Sequence, residues 1–186
     1  MRDSVRRSLW PVLLAFVLGL SWGPAWAAGV QLESRQLYRQ DGALLLNAQF
    51  QIELPKKAAE ALRRGVTLSF SQHFEFFQKR DWWLDESLFV EQRRYQLSYR
   101  SGADKYRLLL GAEARDFDTP EAALHALGEI SGWVVGRQAL APGAAYEARL
   151  RLYLETNRLP QTLQLSHLFG SGLDVDSGWQ VWKPNL

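Results

Sequence analysis

The chain has 186 residues, with 22 basic and 20 acidic side chains and no cysteine. The missing thiol excludes disulfides, cysteine nucleophiles and thiolate-bound zinc or iron–sulfur centres. A nucleic-acid partner calls for a basic excess or stripe, and a net charge of +2 supplies none.

Even that small excess belongs to the N-terminal segment. Arg2, Arg6 and Arg7 open the chain, residues 9–22 are apolar apart from the interruption at Pro11, and Ala25-Trp26-Ala27 has the small-x-small form of a cleavage site. Together these read as a secretory signal peptide over residues 1–27, cut between Ala27 and Ala28. The apolar run falls short of the about 20 residues that a membrane span needs; an uncleaved anchor is the alternative. Cleavage removes three Arg and one Asp, leaving 19 basic and 19 acidic residues. The expected mature protein is a single domain over residues 28–186, periplasmic and stabilised by its core alone. Membrane contact is expected only through the signal segment before cleavage.

Residues 30–39 alternate imperfectly between apolar and polar. Asp41-Gly42 then marks a tight turn. Leu44, Leu46, Ala48, Phe50, Ile52 and Leu54 share one face of a strand whose other face is polar, so the two segments predict a hairpin. Pro55 ends it. Residues 56–64 predict a short helix, with Lys56/Glu60 and Glu60/Arg64 at i,i+4 spacing, Gly65 just past its end, and Ala58, Ala61 and Leu62 as the packed side.

Residues 66–77 form a strand, broken in phase by Gln72, and residues 88–100 form its return. Val90 and Tyr95 have opposite parity in that return, which predicts a bulge near residues 92–94. A turn at 101–104 leads to a strand over 105–110. Asp118-Thr119-Pro120-Glu121 starts a helix that ends at Gly128 or Gly132, with Leu124, Leu127, Ile130 and Trp133 available to the core. Residues 146–154 alternate as cleanly as 44–54, and further strands are expected at 163–169 and 179–182. About seven strands, a pair of short helices and no βαβ rhythm predict a mainly β, antiparallel two-layer sandwich.

The densest chemistry lies in the bend between the central strands. Arg80, Asp81, Trp82, Trp83, Asp85 and Glu86 cluster there, with Arg93 and Arg94 following. Carboxylates about 5–9 Å apart perform glycoside hydrolysis and indoles stack on sugars, so a glycan-binding protein or hydrolase is one reading. The plainer reading packs the indoles against the end of the sandwich and pairs the acids with Lys79, Arg80 or Arg93. His73 stands beside Ser71 and Glu75 as an exposed polar ladder, and no nucleophile elbow accompanies it. Asp174 to Gly178 resembles the opening of a calcium loop but lacks its later ligands, so a turn is expected. No phosphate-binding loop and no histidine metal motif occurs, so no cofactor, metal or catalytic residue is expected.

The stretch 74–83 running into Asp85-Glu86, then Gln96-Leu97-Ser98-Tyr99, the helix start at 117–127 and the terminal Ser177-Gly178-Trp179 resemble an exported bacterial family, domain of unknown function 4390. The resemblance covers nearly the whole mature chain and rests on the order of short motifs. It lends no residue a role. Members of that family are often encoded near a membrane sensor kinase of the nitrogen-regulation type, so the resemblance implies an envelope signalling or accessory role. The expected function is therefore a non-enzymatic module that binds another envelope protein, using the bend with Arg93 and Arg94.

Overall fold

The computed structural model describes residues 29–80, 85–159 and 173–186. β1 (Val30–Gln40) and β2 (Ala43–Ile52) form the expected hairpin, closed by Asp41 and Gly42 at φ 51° and 74°. Two positive-φ residues give the turn whose twist matches paired strands. A bulge between Leu32 and Ser34 moves the inward phase from Val30 and Leu32 to Leu37, which explains the imperfect alternation of β1. β2 keeps its phase, burying Leu44, Leu46, Ala48, Phe50 and Ile52.

α1 (Lys56–Arg63) buries Ala58, Ala61 and Leu62. It ends as the sequence predicts: Gly65 adopts φ 88°, its N–H reaches Leu62 O at 2.9 Å, and Val66 N–H reaches Ala61 O at 3.0 Å. These two hydrogen bonds satisfy carbonyls the helix leaves open. β3 (Leu68–Gln78) and β4 (Glu86–Arg100) form the long central hairpin, continued by β5 (Lys105–Leu110) and β6 (Glu113–Phe117). α2 (Pro120–Gly128) starts with Pro120 in its first turn and with the Thr119 side chain accepting from Ala122 N–H at 3.2 Å. β7 (Glu129–Gly136) follows directly, then β8 (Tyr146–Leu154), a single 3-10 turn (Thr156–Arg158) and β9 (Gln180–Trp182).

The described residues thus hold nine strands in two antiparallel sheets, ordered β1-β2-β7 and β6-β5-β4-β3-β8-β9, with two helices. The fold is a mainly β sandwich. Phe74 of β3 meets the Trp133 ring of β7 at 6.4 Å, and Arg35 of β1 lies 5.0 Å over Trp182 of β9. The smaller sheet therefore spans only part of the larger one. α2 packs on β2, β5 and β6 and so covers much of what remains. Phe50, Phe70, Phe74 and Phe76 are fully buried between the layers, each contributing about 1.5–3 kcal/mol by removal from water.

Gln72 interrupts the apolar face of β3 for a structural reason. It is fully buried, and its Nε2 donates to Leu127 O at 2.7 Å, tying the last turn of α2 to the centre of the larger sheet.

The bulge expected near residues 92–94 lies elsewhere. Pairing runs unbroken from Gln72↔Arg93 to Phe76↔Phe89 and shifts only where Phe77 meets Ser87. Val90 is 58 % exposed, so it never shared a face with Tyr95; Phe89 takes the inward position and stacks on Phe76 at 5.9 Å. Two strands escape the alternation test. β6 is mostly charged, and β7 carries Gly132 at φ 57° where its register with β2 shifts, so Ile130 and Trp133 both point inward despite opposite parity. The expected strand at 163–169 lies outside the described residues.

Candidate functional site on the outer face of the larger sheet

The outward phase of β3 presents Ser71, His73, Glu75 and Phe77. Across β8 stand Tyr153, Arg151, Arg149 and Glu147, and across β4 stand Arg94, Gln92 and Val90. Val181 of β9 sits opposite Arg149. Strand pairing alone therefore arranges these side chains in rows about 4.8 Å apart.

At the bend end, Lys79 Nζ lies 2.7 Å from Asp85 Oδ2 and 3.7 Å from Glu147 Oε2, while Arg80 pairs with Glu86. The hydrogen bond from Lys79 holds the Asp85 carboxyl below its ordinary range, against the effect of desolvation. A general acid for glycoside hydrolysis needs the opposite displacement. Midway along, the Arg149 guanidinium lies 4.5 Å over the Phe77 ring and bonds Glu147, with Nε to Oε1 at 2.8 Å. Next, the His73 ring sits 5.1 Å from Trp179 and its Nε2 lies 3.5 Å from Glu75 Oε1. Arg151 stacks 4.9 Å over Tyr153 and grips both oxygens of Asp176, with Nε to Oδ1 at 2.9 Å. Asp176 Oδ1 also accepts from Gly178 N–H at 2.8 Å, so the segment that resembled a calcium loop is a turn with its aspartate bonded to local backbone. Among the described residues no group of three or more His, Cys, Asp or Glu could hold a metal ion.

At the far end, the fully buried Ser71 hydroxyl donates to Glu155 Oε1 at 2.5 Å and accepts from Gln92 Nε2 at 2.9 Å. Arg94 Nε reaches the same Glu155 oxygen at 2.8 Å, and Arg158 holds the other at 2.5 Å. Burial works to raise the Glu155 pKa, but the bonds from Ser71 and Arg94 and the two guanidinium charges outweigh it and hold the carboxyl below its usual range. A folded-state pKa below the unfolded one contributes stability above the ordinary carboxylate range, and that contribution fades as pH falls through it. Glu155→Gln should cost about 1–3 kcal/mol at pH 7, the range for leaving a charged hydrogen-bond network short of a partner. Urea titrations down to about pH 3 should show the wild type losing stability below about pH 5 and the variant losing less. Equal slopes would contradict the assignment.

The residues that the sequence brought forward divide across the structure. Arg80, Asp85 and Glu86 stay together at the bend; Asp81, Trp82 and Trp83 lie outside the described residues, as do Ala27 and Ala28. Arg94 belongs to the outer face but sits roughly 26 Å along β4 from the bend. Arg93 points inward, 4.4 Å over the Trp133 ring. The Ser71–Glu155 cluster went unread because its partners are 84 residues apart in sequence; the only local signal was a serine alternating with core phenylalanines.

Fold and surface together define a β-sandwich protein whose larger sheet exposes a face of ion-paired arginines interleaved with aromatic rings. The chain belongs to the family described as a domain of unknown function (DUF4390), whose model matches residues 27–183. No curated protein and no solved structure matches it.

Proposed function

We propose that this protein is an exported, non-enzymatic module of the bacterial envelope that binds another envelope protein. Contact is made through the outer face of the larger sheet and the adjoining bend at residues 81–86. One observation carries the reading: Val90, Val181 and Trp179, exposed by 58 %, 48 % and 38 %, all open from this one face. They lie among Arg149, Arg151 and Arg94, whose charges are already matched by carboxylates. Aromatic rings and arginines are the side chains that dominate protein–protein contacts, and pre-paired charges lower the cost of covering them.

Export is supported by the residue pattern of positions 1–27. No helix among the described residues is long and apolar enough to cross a membrane. The membrane sensor kinase implied by the family resemblance is the first partner to test.

Crosslinking the tagged mature protein in intact envelopes and pulling it down should return one dominant protein. Trp82→Ala with Trp83→Ala, and separately Trp179→Ala, should each lower its recovery at least about tenfold, the effect of losing one strong contact residue. An unchanged partner set in both variants would count against this surface. Titration with envelope glycans should leave tryptophan fluorescence flat; a saturating response would favour the glycan-binding alternative that the bend first suggested.

A further inference from the structure

The inner face of the larger sheet carries charge where the two layers part. At the β7 edge of the smaller sheet, Tyr95↔Leu110↔Glu113 and Leu97↔Leu108↔Arg115 form consecutive inward rows across β4, β5 and β6. Core phase would place apolar side chains at 113 and 115. Instead these charged groups and Arg93 border a cavity of about 210 Å³, floored by Tyr95, Leu108 and Leu110 and roofed by α2 and β7, which add Glu129 and Ser131.

The cations in this cavity are held unlike those of the outer face. Arg94, Arg107, Arg149 and Arg151 each hold a carboxylate. Arg93 and Arg115 instead lie flat on rings, 4.4 Å over Trp133 and 5.3 Å over Phe117, and among the described residues neither has a carboxylate within ion-pair distance. Arg93 also donates toward the Tyr95 hydroxyl, and a guanidinium pinned by its face leaves its remaining edge N–H groups to an incoming acceptor. Glu113 and Glu129 on the rim are likewise without an ion pair there. Inward charges on an edge strand also discourage strand pairing, which accounts for Glu113 and Arg115. Arg93 sits on β4, an interior strand, and that account does not reach it.

We propose that this cavity binds a small zwitterion, a free α-amino acid in size and charge. The carboxylate lies against Arg93 and Arg115, with the buried Tyr95 hydroxyl beside it, and the ammonium faces Glu113 and Glu129 together. Burial pushes the Tyr95 phenol upward, so it stays a neutral hydrogen-bond donor. Two matched charges of each sign disfavour a purely anionic or purely cationic ligand. The volume is below the about 300–1,000 Å³ of pockets that take drug-sized molecules, which sets the size class.

The test is titration of the full mature protein with the common α-amino acids up to about 10 mM, followed by calorimetry and by 1H–15N spectra. At least one amino acid should bind, shifting amides of β4, β6 and the α2–β7 junction. Its N-acetyl and its amide derivatives, each lacking one charge, should bind at least about tenfold more weakly. Arg93→Gln and, separately, Glu129→Gln should each weaken binding by a similar factor, with Glu129→Gln deciding if Arg93→Gln unfolds. No binding by any amino acid, equal binding of the singly charged derivatives, or full binding by both variants would overturn the assignment. Loss of this site leaves the partner-capture result untouched, since the two lie on opposite faces of the larger sheet.

Discussion

Phe74→Ala should lower the unfolding free energy by about 3–5 kcal/mol, the range for deleting a buried phenylalanine. Phe74 is fully buried at the centre of β3, and its ring stands 6.4 Å from each of Phe76, Trp133 and Trp182. Those partners come from β3, β7 and β9, so one side chain joins both sheets and the C-terminal strand. The three rings are large and fixed in well-packed strands, and they close poorly around a lost neighbour, which puts the cost near the top of the range. Phe77→Ala, three residues on and on the outer face, should cost much less, about 1 kcal/mol, because its ring meets Arg149 and solvent. Urea denaturation of both variants measures this. Comparable losses would mean that the phase of β3 has been misassigned.

Gly128→Ala should cost about 3 kcal/mol through a different mechanism, overpacking. A Cβ at Gly128 would fall 2.1 Å from Phe50 O, a backbone atom of the central strand of the smaller sheet. Backbone there cannot retreat without disturbing the pairing of Phe50 with Leu32 of β1 and of the adjacent Gln49 with Glu129 of β7. Gly136→Ala provides the contrast: its Cβ would meet the Phe89 ring at 2.7 Å. That ring is only partly buried and can turn aside, so about 1 kcal/mol is expected. Thermal denaturation of the two variants should rank Gly128→Ala as the worse. The reverse order would place the α2–β7 junction differently.

Residues 44–54 and 146–154 were legible because both strands lie inside their sheets with one face buried and one open, the condition under which period two is strict. The helix ends at Thr119-Pro120 and Gly65 were legible because capping chemistry is local. β7 was not, since a positive-φ glycine within it puts Ile130 and Trp133 on one face and erases the period. The bulge in β4 was placed wrongly because Val90 looked like a core residue; nothing in a single strand distinguishes an apolar side chain on an outer face from one in the core. The outer-face network was hidden for a topological reason. Ser71, Arg94, Glu155 and Asp176 come from distant stretches of chain, and only the adjacency of β3, β4 and β8 makes them neighbours. Arg93 and Arg94 read as one basic pair in sequence, yet strand geometry sends them to opposite faces.

The most direct test of the proposed role is a photo-crosslinking amino acid placed at single positions of the protein in its own envelope. Val90 and Val181 on the outer face of the larger sheet should each yield the same discrete adduct with a second envelope protein, while Gln36 on β1 of the smaller sheet should yield none. The same adduct from Gln36, with Val90 and Val181 silent, would contradict docking through the larger sheet.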